Sequence, residues 1–169
     1  EYGGVRDICP DEELFEQLEW KYSDTKDAYG FYTEAKKAFG FPTSKEEFWA
    51  KYNAVNYNGM LEQLDRYHEL RLFLLSNQTT PRTDYLKATC NFSMFECVFF
   101  SNEVSLKKPN ADIFQYVLDS IECAPHECVF IDDAKENIDV AKHIGMHGVL
   151  FQDAEQSHTQ LQTIISDNA

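Results

Sequence analysis

Apolar positions along the chain follow two different rhythms. From about Asp11 to Asn58, aromatic and charged residues recur at helical spacing, and no segment reads as a convincing strand. Ser44-Lys45-Glu46-Glu47 has the form of a capping box ahead of Phe48, Trp49 and Tyr52, so a helix is predicted to start there. Gly40-Phe41-Pro42 is predicted to break the chain just before it. The aromatic stripe reads as core packing rather than as a ligand cage, because its spacing is that of one helix face.

From Leu61 onward, short apolar runs alternate with amphipathic segments. Leu72-Phe73-Leu74-Leu75, Cys97-Val98-Phe99-Phe100, Cys128-Val129-Phe130-Ile131 and Gly148-Val149-Leu150-Phe151 lack polar alternation, as strands covered on both faces of a parallel sheet do. Ile113, Phe114, Val117, Leu118 and Ile121 mark one face of a helix between the second and third runs. Ile138, Ala141 and Ile144 mark a second helix before the fourth run, with Gly145 as its C-cap. This alternation predicts an α/β fold, a Rossmann-like doubly wound parallel sheet.

The chain has 169 residues, 43% of them hydrophobic, enough for one compact domain with a small appendage. Charge changes the picture more than size does. Against 29 acids stand 15 Lys and Arg, a formal net charge of -14. Such a field repels nucleic acid and anionic membrane surfaces, so neither is an expected partner. A small anionic substrate needs a metal or a local positive patch. No apolar run has the length of a membrane span, and Glu1-Tyr2-Gly3-Gly4-Val5 does not read as a signal peptide. The five cysteines show no CxxC pair, which points to reduced thiols in a cytoplasmic protein. Cys97 and Cys128 lie inside apolar runs and are expected to be buried.

Ligands of doubly wound sheets gather beyond the carboxyl ends of the strands. The first run ends in Ser76-Asn77. Thr80 can cap the helix that follows, with Pro81 at its first position, and backbone N–H groups there would join the Ser76 hydroxyl as a neutral anion site. A plain strand–helix turn is the alternative. The second run is followed by Lys107-Lys108-Pro109, where Pro109 is expected to open a helix and fix the direction of Lys108. A lysine so placed can neutralise a phosphate or a nucleophilic carboxylate; otherwise both lysines are solvated. The third run ends in Asp132-Asp133, with Asn137 one helical turn on. Adjacent carboxylates at the end of a buried strand repel each other and lose hydration, and a hard divalent cation relieves both. Mg²⁺ suits such oxygen ligands best. Alternatively one Asp caps the next helix and the other is solvated.

Taken together, Ser, then Lys, then Asp-Asp, each after a successive run, resembles motifs two, three and four of the haloacid dehalogenase superfamily. The segments that carry the resemblance are Leu74-Leu75-Ser76-Asn77, Lys108-Pro109-Asn110-Ala111-Asp112-Ile113-Phe114 and Phe130-Ile131-Asp132-Asp133-Ala134-Lys135-Glu136-Asn137. Within the superfamily the chain is most similar to alpha-glucose-1-phosphatase-like sugar phosphatases. Receiver domains of response regulators use similar residues, but their acidic pair comes first in the chain. The resemblance implies a remnant of the first motif over residues 1–10, a small helical cap over 11–60 and an α/β core over 61–169. The family's first motif is a strand ending in a nucleophilic Asp, often Asp-Leu-Gly-Gly-Val. Glu1-Tyr2-Gly3-Gly4-Val5 aligns with it, so Glu1 takes the nucleophile's place and Gly3 that of a general-acid Asp, and the first core strand is expected to be missing.

What the resemblance implies is a Mg²⁺-dependent phosphomonoester hydrolase acting on a small phosphorylated metabolite through a carboxylate nucleophile. Glu1, Ser76 and Lys108 would be catalytic. Ser76, Asn77, Lys108 and Asn137 would hold the phosphate. The metal would sit among Glu1, Gly3, Asp132 and Asp133, with Asp133 a direct ligand and Asp132 reaching it through water. Glu103 is the next candidate nucleophile, and Lys107 replaces Lys108 if Lys108 projects the other way. A glutamate adds about 1.5 Å of reach, and misplacement of about 1 Å can cost on the order of 10²-fold in rate. The chain as it stands is therefore expected to be weakly active or inactive. The alternatives are a non-catalytic or truncated binding or regulatory module and, less favoured, a haloacid dehalogenase, since dehalogenases of this fold use no metal.

Overall fold

The computed structural model describes residues 8–22, 27–53, 67 and 69–168. Glu1, Gly3, the first core strand and the cap boundary near residue 60 lie outside the described residues. The chain groups into two compact units: Glu1–Asn56 with Leu74–Ser105, and Tyr57–Phe73 with Leu106–Ala169.

The first unit opens with helices α1 (Glu12–Tyr22), α2 (Ala28–Phe39) and α3 (Lys45–Asn53). The Asp27 carboxylate accepts from the Gly30 amide at 2.8 Å and starts α2. The helix ends at Gly40, whose φ of 65° is the left-handed conformation that glycine adopts without a Cβ penalty. Ser44 Oγ accepts from the Glu47 amide at 3.1 Å, so the Ser44 half of the expected capping box starts α3. Phe15, Phe31, Tyr32, Phe41, Phe48 and Tyr52 pack with Cys9 and Ala35 into one buried cluster. The aromatic stripe is thus core, as its spacing implies.

Strand β1 (Phe73–Ser76) pairs with β2 (Cys97–Phe100); between them runs α4 (Thr80–Thr89), and the short α5 (Ser101–Val104) follows β2. The N-cap of α4 is Thr79 rather than Thr80, and Pro81 takes the second helical position. The Thr79 hydroxyl makes no capping bond, because it lies 2.8 Å from the Tyr52 hydroxyl.

In the second unit α6 (Ala111–Ile121) precedes a 3₁₀ turn (Pro125–Glu127) and β3 (Val129–Asp132), followed by α7 (Lys135–His143), β4 (His147–Leu150) and α8 (Ala154–Asp167). All five residues of the expected face of α6 are buried, and Phe114 meets Phe130 edge-on at 5.0 Å between ring centroids. Pro109 does not open α6. The helix starts two residues later behind Asn110, whose side chain accepts from the Asp112 amide at 2.9 Å, a bond proline cannot offer. Helix α7 buries Ile138 and Ala141 and ends on Ile144 as its C-cap, so Gly145, with φ 99°, stands one place beyond the expected cap. Strands β3 and β4 are parallel, Val129 opposite His147 and Asp132 opposite Leu150. A Cβ on Gly148 would meet Ile138 Cγ2 at 2.9 Å, so glycine is what lets α7 lie this close to β4. The four expected strands exist with ends shifted by no more than one residue, and the fold is the expected α/β arrangement with parallel strands. No helix among the described residues is long and apolar enough to cross a membrane.

The thiols correct one expectation. Cys97 is exposed, because it stands at the outer end of β2, whereas Cys128 is half-buried and Cys9 buried. Burial, then the charge of Glu19, pushes the Cys9 thiol up to about 12. Burial, followed by the effect of neighbouring Cys123, pushes Cys128 up to about 11. Alkylation proceeds through the thiolate. In a mass-spectrometric time course with iodoacetamide at neutral pH, Cys97 should therefore label first and Cys9 only after denaturant is added. Equal rates at Cys9 and Cys97 would contradict the buried placement of Cys9.

Candidate active site

In the first unit the polar residues gather in the turn that leaves β1. Ser76 is half-buried, and its hydroxyl oxygen accepts from Gln78 Nε2 at 2.9 Å. Asn77 follows, also half-buried. The buried Ser101 holds Gln78 by its backbone, with Oγ accepting from the Gln78 amide at 3.0 Å and donating to its carbonyl at 3.3 Å. Gln78 and Ser101 were not among the expected site residues. Ser101 stands directly after β2, so the strand-end rule that picked out Ser76 and Asp132 reaches it too. Glu103 is exposed and ion-paired to Lys87.

In the second unit the end of β3 is more tightly built. Lys108 Nζ lies 2.5 Å from Asp132 Oδ2, and both side chains are almost covered, at 11% and 7% exposed. The ammonium also sits 5.6 Å from the Phe130 ring centroid. The other Asp132 oxygen accepts from the Ala134 amide at 2.9 Å and from Asn137 Nδ2 at 2.8 Å. Asn137 is itself buried, and its Oδ1 has no hydrogen-bond partner among the described residues. Asp133, the next residue, is exposed, and its carboxylate makes no hydrogen bond or ion pair among the described residues. Lys108, Asp132 and Asn137 are thus brought together, and the two acids differ in environment although they are neighbours in sequence.

A buried carboxylate is tolerated only when charge and hydrogen bonds compensate for lost hydration, and Asp132 has three donors. The Lys108 ammonium thus places a positive charge at the end of β3, held there by Asp132. Toward a divalent cation, Asp132 is already engaged at both oxygens, whereas Asp133 offers a hard oxygen donor in contact with solvent. The two carboxylates suit Mg²⁺ in kind. No group of three His, Cys, Asp or Glu that could hold a metal is found among the described residues, so further ligands would come from elsewhere in the chain or from water.

A model of the family described as haloacid dehalogenase-like hydrolase matches residues 8–151. The chain belongs to this family. Among curated relatives of this haloacid dehalogenase-like protein, the drimenol cyclase drtB of Aspergillus calidoustus is 27% identical over 161 residues, 94% of this chain and 29% of the relative. The sesquiterpene phosphatase astK of Aspergillus oryzae is 24% identical over 95 residues, 56% of this chain and 48% of the relative. The chain thus spans under a third of the first and about half of the second. Among solved structures, a HAD family enzyme of Bacteroides thetaiotaomicron in complex with magnesium superposes with a TM-score of 0.71 at 21% identity, covering 94% of this chain and 87% of that one. That likeness establishes the haloacid dehalogenase-like fold.

Proposed function

We propose that this hydrolase is a Mg²⁺-dependent phosphatase acting on a phosphomonoester of a small metabolite. The observation that carries the reading is the end of β3, where a buried Lys108–Asp132–Asn137 cluster stands beside the exposed Asp133. The phosphatase among its relatives supports the same reaction class.

In this reading Ser76 and the Asn77 amide donate to phosphoryl oxygens, and Lys108 neutralises the charge that spreads over them. Asn137 and the Ala134 amide hold Asp132, which in turn fixes Lys108. Asp133, with a water-mediated contribution from Asp132, would hold Mg²⁺ together with the Glu1 and Gly3 positions. Mg²⁺, when bound, would add positive charge against the transferring phosphoryl group. The Glu1 carboxylate would attack phosphorus as the alcohol leaves with a proton taken from water, and a further water would then cleave the acyl phosphate to regenerate the carboxylate and release phosphate. The helical region 11–60 would act as the cap that selects the substrate. The sesquiterpene phosphatase among the chain's relatives is the reason to assay a sesquiterpenyl phosphate beside a hexose phosphate.

The test combines phosphate release with titration calorimetry. Asp133→Asn should abolish Mg²⁺ binding, because it removes the exposed carboxylate charge; unchanged affinity would reject the metal assignment. Intact Mg²⁺ binding in the wild type without turnover on any phosphomonoester would favour a binding module over an enzyme.

A further inference from the structure

We propose that Gln78 is a positioning residue that keeps the Ser76 hydroxyl proton free for an anion; the inference rests on the reading of Ser76 as a phosphate-holding residue. A serine hydroxyl has one proton to donate and two lone pairs that accept. At the end of β1, Ser76 Oγ receives Gln78 Nε2 at 2.9 Å. That bond occupies an acceptor direction, so the proton remains for another partner.

A glutamine side chain is long and would not hold this pose unaided. Its backbone is gripped on both sides by Ser101 Oγ, at 3.0 Å from the amide and 3.3 Å from the carbonyl oxygen. Ser101 opens α5, and α5 is tied to α4, since Thr83 Oγ1 donates to Asn102 Oδ1 at 2.7 Å. The turn that carries Ser76 and Gln78 is therefore anchored through the elements on either side of it.

The other end of the Gln78 amide points to the same role. Its Oε1 is buried and has no hydrogen-bond partner among the described residues. Burying an unpaired amide oxygen is unfavourable, and an apolar side chain of the same length would avoid it. What an apolar side chain cannot supply is the N–H to Ser76. With the amide reversed, Ser76 would turn its proton toward Oε1 and lose it for a ligand.

The experiment uses the full chain with Mg²⁺, inorganic phosphate as the calorimetric probe, and p-nitrophenyl phosphate wherever turnover is measurable. Ser76→Ala, Gln78→Met, Gln78→Glu and the Ser76→Ala/Gln78→Met double variant are compared, with melting curves to confirm folding. Ser76→Ala should weaken phosphate binding about tenfold, a loss typical of one hydrogen bond to a charged group. Gln78→Met should lose part of that. In the double variant the Gln78 change should add nothing to the Ser76 change, because it acts only through that hydroxyl. Gln78→Glu should be worse than Gln78→Met at neutral pH, since a carboxylate captures the Ser76 proton. Its ratio to wild type should recover as the pH falls through the glutamate range and the carboxyl becomes a donor again. A purely structural role would not produce that recovery. Additive losses in the double variant overturn the inference while leaving the Ser76 site intact. A wild type that does not bind phosphate, or a Ser76→Ala variant that binds it unchanged, overturns the site reading and the inference together. If Gln78→Met does not fold, the same cycle with Gln78→Glu decides.

Discussion

Lys108→Met should melt well below the wild type and show no more than residual phosphomonoester turnover. The methionine keeps the aliphatic length but removes the ammonium paired with Asp132, whose side chain is 7% exposed. Stripping one partner from a buried ion pair typically costs about 3–5 kcal/mol, because the remaining charge is left without compensation. The Ala134 amide and Asn137 Nδ2 still donate to Asp132. The expected loss is therefore near the lower end, about 3 kcal/mol, read from urea midpoints at constant m. On the proposed phosphatase reading, losing this positive group should reduce whatever turnover the wild type shows by on the order of 10²-fold or more. The Lys108→Met/Asp132→Asn double variant separates the two effects. It removes the orphaned charge and should recover much of the stability, while activity stays lost. A Lys108→Met protein as stable as wild type would mean that Asp132 has found water or a proton instead.

The second large effect is expected at Phe48→Ala, at about 3–5 kcal/mol, the usual loss for a fully buried phenylalanine. Phe48 is fully buried and central to the aromatic cluster of the first unit. Its ring stacks on Phe41 at 5.3 Å and meets Tyr32 at 5.3 Å and Trp49 at 5.3 Å edge-on. Phe31 and Tyr52 complete its surroundings at about the same range. Truncation removes these contacts and leaves a void that helices on several sides cannot all close. Trp49 fluorescence and near-ultraviolet circular dichroism should change together with the urea midpoint. A loss under about 1 kcal/mol would show that the cluster tolerates an open space, and the ligand-cage reading of the aromatic stripe would return.

These two sites illustrate how unevenly sequence reports structure. Phe48 and the face of α6 were legible because helix packing imposes a period, and a period survives in the order of residues. The four strands were legible as apolar runs for the same reason. Asp132 and Asp133 were legible as a pair at a strand end, with one of them solvated as an alternative, but not with the first buried against a lysine. That difference depends on which way each residue faces and on Lys108, which is 24 positions away along the chain. Thr79 stands at the α4 N-cap without a capping bond because Tyr52 takes its hydroxyl, an interaction across 27 positions that no local pattern encodes. The α6 cap is different. Asn110 followed by Asp112 was a readable N-terminal signal, and proline obscured it. The bond from the Asn137 amide nitrogen to Asp132 was not legible, since it again joins positions by fold rather than by period. Gln78 was invisible because a side chain that acts on a neighbour two residues back leaves no periodic trace.

The pairing of β3 with β4 has a further effect at its last rung. The Phe151 amide donates to the Asp132 carbonyl at 2.8 Å, so the ladder closes on the backbone of the acid itself. Asp132 is therefore immobilised when the chain folds, in both main chain and side chain, and gives up little freedom when a ligand arrives. Asp133 lies one residue past the last rung and retains its rotamers. Ordering a side chain of that kind costs up to about 1 kcal/mol of entropy at the moment of binding. Neighbouring acids of one strand end thus differ in when their disorder is removed, the first at folding and the second, on the proposed metal reading, only at capture.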